Sequence, residues 1–544
     1  MTAVAGPTAR AEPDGAAAGD PVAPPAAPRP EPAPRPAPAA VAVAGVRVRT
    51  WVAAATALAA GLTLWGLSSR PLWTDEAISI GAVNQLGATL RDTAGTMALY
   101  YVLLDAWSGV AGTSVVAVRA LSVVFVVASV LGAGVLARRL LRPVEAVAAV
   151  VLVAALPALA RTGQEARSYA LTMLLATVGW LCLARAVDAG AGTAAHLDRR
   201  ARTALLALVP VAVAGVLAHG LFVVQVAALV LSCTVLPRRR PLLAWMALPA
   251  GAALATAGAL FVAGAGGVAD WILPLSRQHA IDVAATVFGP NLITACVLGL
   301  LGARGAARLL ARRGDGPAQR WRALVPVWWA LAPAAILVAV SVVRPYLVGR
   351  YLLASVPALG MLAAVGAVAV VEAAAPADER RRRRLAGALV VVLVASAVLL
   401  GRLTAAQINT EDWDGAAEVV ADGSRAGDGI LFTPSSGTIP FSVRTPFEAA
   451  WRDAGRADRA PDPVATGVPL GTVRRFYPMP ERADVAPELP GHQRLWIVHK
   501  IRGGGVGDAA LEDVLAWPEL RHGYRVARRE LVRGGIQVLL LERR

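Results

Sequence analysis

The chain has 544 residues, of which 56% are hydrophobic and 17% are charged, and its mean hydropathy is +0.56. Soluble domains carry about 25% charged residues, so this composition excludes a purely soluble protein. Lys and Arg outnumber Asp and Glu by 53 to 37, which gives a formal net charge of +16. That charge fits either a nucleic-acid-binding surface or the cytoplasmic arginine excess of a membrane protein.

Most of the chain consists of apolar segments that are long enough to cross a bilayer as helices. Before them, residues 1–46 are rich in Ala and Pro, which predicts a disordered cytoplasmic tail. The sequence predicts an all-α polytopic membrane domain over residues 47–404 with about eleven transmembrane helices. They are expected at residues 51–67, 116–137, 144–160, 168–187, 203–218, 220–236, 242–264, 284–303, 323–343, 351–374 and 385–404.

The arginine clusters test this count, because short cytoplasmic loops carry the excess of Lys and Arg. Residues 98–110 are apolar but short and contain Asp105, so we interpret them as a helix lying in the membrane interface. With the N-terminus in the cytoplasm, every dense arginine cluster between spans then falls on the cytoplasmic side. The clusters are divided among short loops, which excludes the nucleic-acid interpretation and predicts a multi-pass protein of the plasma membrane, with the lipid bilayer as a partner.

Residues 405–544 are less hydrophobic and, with an odd number of spans, are expected outside the cytoplasm. A helix-like stretch at 413–425 alternates with strand-like runs at 429–433, 495–498 and 536–541. The pattern predicts a small extracytoplasmic α/β domain.

The predicted outer ends of the spans carry a set of polar and aromatic residues that is costly at membrane depth. Each has a structural alternative: acids favour helix starts, arginines reach lipid headgroups, and aromatic residues form interface belts. Their occurrence on one face indicates a site. The candidates are Asp75, Glu76, Tyr100, Tyr101, Gln164, Glu165, Arg167, His219, Trp271, Arg344, Arg350 and Tyr351.

The order of these motifs resembles the GT-C glycosyltransferases of family 39, which include protein O-mannosyltransferases and bacterial lipid A aminoarabinose transferases. The resemblance covers residues 48–405, and the tail motifs at 411–413 and 427–432 resemble the outer domain of bacterial members. The matching stretches are Leu-Trp-Thr-Asp-Glu at 72–76, Leu-Tyr-Tyr-Val-Leu-Leu at 99–104, Val-Arg-Ala-Leu-Ser at 118–122, Gln-Glu-Ala-Arg-Ser-Tyr at 164–169 and Gly-Arg-Tyr-Leu-Leu at 349–353.

The resemblance implies transfer of a sugar, mannose or a similar one, from a polyprenyl-phosphate donor to a protein or glycan acceptor outside the membrane, with inversion. Asp75 is then the expected base for the acceptor hydroxyl. Glu76 is expected to position the acceptor or, with Asp75, to bind a divalent metal such as Mg²⁺ or Mn²⁺.

The remaining candidates are expected around the two substrates. Arg167 and Arg350, with Arg344, are expected to stabilise the departing lipid phosphate. Gln164, Glu165 and Tyr351 are expected to support donor binding, whereas Tyr100, Tyr101, Trp271 and His219 are expected near the acceptor. The alternative function is a flippase or transporter of a lipid-linked envelope substrate, for which polar residues at mid-membrane or a repeat are typical.

Overall fold

A computed structural model describes the chain from residue 38 onward, with gaps. The described residues are 38–68, 72–83, 86–194, 196–264, 272, 274–289, 291–312, 316–374, separate positions between 378 and 399, 411–433, 443–453, 460–464, 470, 489, 491–501 and 509–544. The chain divides into two units, Met1–Gly45 and Val46–Arg544. The second unit holds both the membrane helices and the C-terminal sheet, and the predicted domain boundaries at 47 and 405 stay predictions.

The regular secondary structure described in the membrane region is helical. Its helices are α1 (Pro38–Leu64), α2 (Thr74–Ala82), α3 (Leu86–Asp92), α4 (Ala98–Ala111), α5 (Val115–Leu140), α6 (Pro143–Ala155), α7 (Pro157–Gly163), α8 (Tyr169–Asp188), α9 (Arg199–Leu206), α10 (Leu208–Ala218), α11 (Val223–Ser232), α12 (Arg239–Val262), α13 (Arg277–Phe288), α14 (Leu292–Ala311), α15 (Pro317–Ser341) and α16 (Val356–Ala374). Single 3₁₀ turns lie at Gly220–Phe222, Cys233–Val235 and Gly349–Ser355.

Seven of the described helical segments are long and apolar enough to cross a membrane, and an eighth span results if the bent pair α6 and α7 is counted as one. The protein is therefore a multi-pass membrane protein. Two further predicted spans coincide with shorter apolar helices, at Val48–Leu64 and Gly220–Val235, and the span predicted at 385–404 falls where the structure describes only separate positions. The total of eleven and the orientation of the termini stay predictions.

The structure corrects one predicted span, and it begins α1 at Pro38, within the stretch expected as a disordered tail. Residues 1–37 lie outside the described part of the chain, so the tail stays a prediction. The span expected at 284–303 is two helices, because the chain breaks at Gly289, whose φ of 108° is unfavourable for other residues. The spanning segment is instead Leu292–Leu310.

The loops predicted to be cytoplasmic meet at one end of the bundle. Asp188 binds Arg139 and Arg322 at 2.7 Å each, which joins three separate loops. Glu372 binds Arg142 at 2.9 Å and Arg308 at 2.6 Å. Arginines from different predicted loops thus share acidic partners at one end of the bundle, and which side of the membrane this end faces stays a prediction.

Helix α16 is the buried centre of the bundle, with 89% of its spanning window inside the protein. It approaches α14 so closely that a Cβ atom on Gly305 would lie 1.9 Å from the backbone oxygen of Leu362. The reciprocal contact, Gly366 against the oxygen of Leu301, is equally close. Small residues of this kind allow membrane helices to pack backbone to backbone. The packing fixes the 3₁₀ turn Gly349–Ser355, which leads directly into α16.

The C-terminal region is an α/β domain, as the sequence predicts. Its strands form one sheet in the order β2-β1-β3-β5-β4, in which β1 pairs parallel with β2 and β3, and β5 pairs antiparallel with β3 and β4. Of the five, β2 and β4 were not expected. The elements are α17 (Trp413–Gly423), β1 (Gly429–Phe432), α18 (Arg444–Asp453), β2 (Asp462–Pro463), β3 (Arg494–Lys500), α19 (Ala509–Leu515), α20 (Pro518–Gly523), β4 (Tyr524–Val532) and β5 (Ile536–Arg543).

Each face of this sheet packs against a separate core. Trp413, Phe432 and Trp496 lie in one cluster, and Leu431, Ile497 and Leu539 lie in the other. Alternate residues of a strand point to opposite faces, which explains why neighbours such as Trp496 and Ile497 belong to different cores.

Candidate active site

Helix α2 presents two acidic residues in its first turn, Asp75 and Glu76. Acidic side chains are favourable there because the helix N-terminus carries partial positive charge. Consecutive residues of an α-helix point about 100° apart, so the two carboxylates face different surroundings. The geometry of the site follows from this division.

Asp75 faces two arginines that come from distant parts of the chain. Its Oδ2 atom lies 3.2 Å from Nη1 of Arg350 and 3.6 Å from Nη2 of Arg167. Arg167 also donates a 3.2 Å hydrogen bond to the backbone oxygen of Asp75. The Asp75 side chain is 19% exposed, so this cluster is partly open.

Both arginines are placed by breaks in the helical bundle. Arg167 lies in the irregular turn between α7 and α8, which follows the 52° bend at Leu156 and Pro157. Arg350 lies in the 3₁₀ turn Gly349–Ser355 ahead of α16. The structure thus brings together three residues that the sequence predicted to share one outer site.

Glu76 points into the protein and is closed off by Arg119 of α5. Nε and Nη2 of Arg119 donate to the two carboxylate oxygens at 2.8 and 2.7 Å, and both side chains are fully buried. The backbone N–H of Ala166 donates to the same carboxylate at 2.9 Å, and Arg119 also donates to the oxygen of Leu67. The catalytic or acceptor-binding role expected of Glu76 does not fit this position, because the helix turns its carboxylate toward an internal arginine.

Arg119 was missed as a site residue by sequence reasoning, although an arginine five residues into an apolar span is itself a signal. With Ala166, the Glu76–Arg119 pair connects α2, α5 and the turn that carries Arg167. The pair therefore fixes the position of Asp75 relative to Arg167.

Gln164 and Glu165 support the same turn and do not contact Asp75 through any described hydrogen bond. The side-chain amide of Gln164 donates to the backbone oxygens of Thr63 and Trp65, at 3.1 and 2.9 Å, at the end of α1. Glu165 accepts a 2.8 Å bond from Nε of Arg161. These contacts anchor the turn, and the donor-binding role expected of both residues stays a prediction.

An aromatic wall borders the arginine cluster. The His219 ring lies 4.7 Å from the Tyr351 ring and 5.9 Å from the Tyr169 ring, measured between centroids. Tyr100 and Tyr101 are buried, with their rings edge to face at 5.9 Å, and both lie within electrostatic range of Arg167. Tyr169 is the member of this wall that was not among the predicted site residues.

One predicted residue, Arg344, is not brought to the cluster, and the structure does not describe another, Trp271. Arg344 is exposed, and its guanidinium lies over the ring of Tyr346 at 5.6 Å. Trp271 lies outside the described residues, so its expected place near the acceptor stays a prediction.

The expected divalent metal does not fit the described residues. Both oxygens of Glu76 are occupied by Arg119, and Asp75 faces two cationic groups. Among the described residues, no three His, Cys, Asp or Glu side chains gather in a way that could hold a metal ion. No metal is therefore used in the chemistry proposed below.

Arg167, and two residues close in sequence to Asp75 or Arg167, carry buried donors whose hydrogen-bonding capacity is not used within the described structure. They are Nε of Arg167, Nε1 of Trp73 and Oγ of Ser168, for which no partner occurs among the described residues. Unsatisfied buried donors are costly and indicate a place where a polar ligand binds. Together with two guanidinium groups around one carboxylate, they favour an anionic ligand.

The sequence matches no protein-family model, and no curated protein is similar to it. Among solved structures, it is similar to ArnT from Cupriavidus metallidurans bound to undecaprenyl phosphate, with a TM-score of 0.54, 13% identity and coverage of 90% of this chain and 98% of that chain. The apo state of ArnT gives the same score and coverage at 15% identity. The apo oligosaccharyltransferase of Archaeoglobus fulgidus gives a TM-score of 0.44 at 13% identity, over 69% of this chain and 59% of that chain. At 13–15% identity, the match to ArnT shows the fold that the sequence resemblance implied, and no more than the fold.

Proposed function

We propose that this protein is a membrane glycosyltransferase that moves a sugar from a polyprenyl-phosphate donor to an acceptor outside the cytoplasm. The observation that carries the proposal is the cluster in which one partly exposed carboxylate, Asp75, faces the guanidinium groups of Arg167 and Arg350. This arrangement combines a base with an anion-binding pair at one end of a membrane bundle. Those are the groups that sugar transfer from a lipid phosphate requires.

In the proposed reaction, the acceptor hydroxyl attacks the anomeric carbon of the donor sugar. The new bond joins the acceptor oxygen to that carbon, and the bond between the carbon and the phosphate oxygen breaks. The phosphate leaves with the bonding electron pair, while the acceptor proton moves to a carboxylate oxygen of Asp75. A single displacement of this kind inverts the configuration of the anomeric carbon.

Arg167 and Arg350 stabilise the leaving group because the lipid phosphate gains negative charge as the bond breaks. Interactions that strengthen in the transition state raise the rate of the chemical step. Phosphate oxygens would also compete with Asp75 for the same guanidinium groups. Donor binding therefore re-pairs the arginines and leaves the Asp75 carboxylate available to accept the proton.

The shared fold supports this assignment, because ArnT was crystallised with undecaprenyl phosphate, the lipid that such a reaction releases. A multi-pass architecture is compatible with a donor that arrives through the lipid phase, for which no nucleotide-sugar site is needed. We propose mannose or a similar sugar as the group transferred and a protein or glycan as the acceptor, in the plasma membrane with the site on the outer face.

The test uses the full-length protein in lipid nanodiscs, supplied with undecaprenyl-phosphate mannose, other undecaprenyl-phosphate sugars and an envelope extract as the source of acceptor. The measured quantity is undecaprenyl phosphate released, which is independent of the acceptor. Binding of undecaprenyl phosphate is measured separately, as the rise in thermal stability. The double variant Arg167→Gln/Arg350→Gln is compared with Arg525→Gln, which removes an exposed arginine of the C-terminal domain.

We expect release by the wild type and by Arg525→Gln, and loss of both release and lipid binding in the double variant. A flippase would move the donor across the bilayer and leave its sugar attached. No release from any of the donors, or lipid binding that is unchanged in the double variant, would overturn the proposal.

A further inference from the structure

The N-terminus of α2 is bound by a side chain from the C-terminal domain. Trp73, which precedes the helix, supplies no side-chain cap. Instead, the backbone N–H of Thr74 donates to Oε2 of Glu411 at 2.8 Å, and the Thr74 hydroxyl donates to the same atom at 2.6 Å. Glu411 is 337 residues further along the chain. A carboxylate at this position satisfies an otherwise unpaired N–H and favours the positive end of the helix.

Glu411 is itself held by two other groups of the C-terminal domain. Nζ of Lys500 lies 2.9 Å from Oε1, and Nε1 of Trp413 donates to Oε2 at 3.1 Å. Lys500 is the only lysine of the chain, and it also donates to the backbone oxygen of Gly534 at 2.8 Å. The carboxylate is therefore fixed on both oxygens, so it transmits the position of the C-terminal domain to α2.

Apolar packing reinforces this polar contact. Helix α18 lies against α2, and Ala449 of α18 shares a buried cluster with Leu72 and Ala77. The first turn of α2 is thus attached to the C-terminal domain by one carboxylate and by one apolar patch.

The attachment lies one residue from Asp75. Thr74 bonds to Glu411, while the next residue faces Arg350 at 3.2 Å and Arg167 at 3.6 Å. The Glu76–Arg119 pair joins α2 to the turn that carries Arg167, whereas Arg350 lies in a separate turn ahead of α16. Loss of the contact at Thr74 would therefore displace the Asp75 carboxylate chiefly relative to Arg350, and a misplacement of about 1 Å at a reacting group can cost about 100-fold in rate.

We infer that Glu411 is a positioning residue for Asp75, through which the C-terminal domain sets the geometry of the proposed active site. The inference rests on the proposed glycosyl transfer. The N-terminus of α2 needs a carboxylate as hydrogen-bond acceptor, and the C-terminal domain supplies it. An ion pair between this domain and the membrane region could not replace that carboxylate.

Two variants break the contact from opposite sides. Glu411→Gln removes the charge and keeps the shape, whereas Thr74→Val removes the hydroxyl donor and keeps the volume of the side chain. The matched control is Glu542→Gln, which removes an exposed ion pair with Arg525 in the same domain. The measurements are kcat and donor KM for undecaprenyl phosphate release, and hydrogen exchange of the α2 amides.

We expect kcat to fall about 10- to 100-fold in Glu411→Gln and less in Thr74→Val. Donor KM should change less than about threefold, because the arginines that bind phosphate are not touched. Amide exchange in residues 74–82 should accelerate in both variants. The control should keep kcat within about twofold and leave this exchange unchanged.

A charge-exchange variant, Glu411→Lys with Lys500→Glu, separates the inference from a simple ion pair. The exchange keeps the pair but places a cation at the start of α2, so we expect kcat to stay low. Restored kcat in this variant, or unchanged kcat and unchanged exchange in both single variants, would overturn the inference. A wild-type protein without transfer would instead overturn the proposed function, and the exchange measurement would still decide whether Glu411 holds α2.

Discussion

Asp75 and Glu76 are neighbours on α2, and their carboxylates lie in opposite environments. Glu76 is fully buried and receives three hydrogen bonds of 2.7 to 2.9 Å from Arg119 and Ala166. Asp75 is 19% exposed and faces Arg350 and Arg167 at 3.2 and 3.6 Å. Two acidic residues in the same helix turn therefore form different contacts. Glu76 and Arg119 form a closed pair, whereas Asp75, Arg167 and Arg350 form an open cluster.

The difference lies in the charge balance of the two regions. In the closed pair, one carboxylate neutralises one guanidinium. The pair is a structural contact that joins α2, α5 and the turn after α7. In the open cluster, one carboxylate faces two guanidinium groups, which leaves positive charge for a further anion. Stability and catalysis should accordingly respond to different substitutions at adjacent positions.

The strongest expected effect is on activity at Asp75. Asp75→Asn keeps the size of the side chain but removes the proton acceptor, so the rate of undecaprenyl phosphate release should fall about 10²- to 10⁴-fold. Thermal stability should change little, because this carboxylate is partly exposed. Unchanged turnover, measured against wild type at saturating donor, would remove Asp75 from the mechanism.

At Glu76 the expected effect is on stability. Arg119→Met leaves the buried Glu76 carboxylate uncompensated, which should destabilise the protein by about 3–5 kcal/mol. The double variant Glu76→Gln/Arg119→Met removes both charges and should regain a large part of that loss. Thermal unfolding in detergent measures both. A double variant that is as unstable as Arg119→Met would show that the pair is not coupled as described.

A smaller effect is expected when an arginine of the open cluster keeps its charge but loses its planar shape. Arg350→Lys and Arg167→Lys cannot bind two phosphate oxygens side by side, so release should slow roughly 10- to 100-fold and binding of undecaprenyl phosphate should weaken. The same change at exposed Arg525 should leave both quantities as in wild type. Equal activity of the lysine and arginine forms would mean that only the charge matters.

The sequence predicted which residues of the open cluster belong together, and the reason is sidedness. The arginine-rich loops predict which end of the bundle is cytoplasmic, so Asp75, Arg167, His219 and Arg350 were expected at the opposite end. The structure brings these four residues together. The same argument could not separate Asp75 from Glu76. Two adjacent acids look alike in a sequence, and only the direction of the helix toward Arg119 distinguishes them.

The contact between domains was beyond sequence reasoning for a related reason. Thr74 and Glu411 are 337 residues apart, and neither carries a periodic or charge pattern that points to the other. Element types in the C-terminal domain were predictable from their apolar runs. Strand β4 was not predictable, because eight of its nine residues are exposed or half-buried and it has no regular alternation of apolar and polar residues.

The smallest effect expected concerns pH and Glu411. Burial by itself raises the pKa of this carboxyl, but the Lys500 ammonium and the hydrogen bonds from Thr74 outweigh burial and hold the pKa below its usual value. Because the folded pKa is depressed, the carboxylate stabilises the protein above the unfolded value of about 4.3. That contribution is lost as the pH falls through the lower, folded value.

The difference in thermal stability between wild type and Glu411→Gln should therefore be largest near pH 7 and shrink as the pH falls below about 4. Glu542→Gln serves as the control, since its ion pair is exposed and should contribute little at any pH. A wild-type advantage that persists unchanged at pH 3 would mean that ionisation of Glu411 is not its source. In that case the carboxylate charge would not be what holds α2, and the open cluster would owe its geometry to the apolar contact of Ala449 with Leu72 and Ala77.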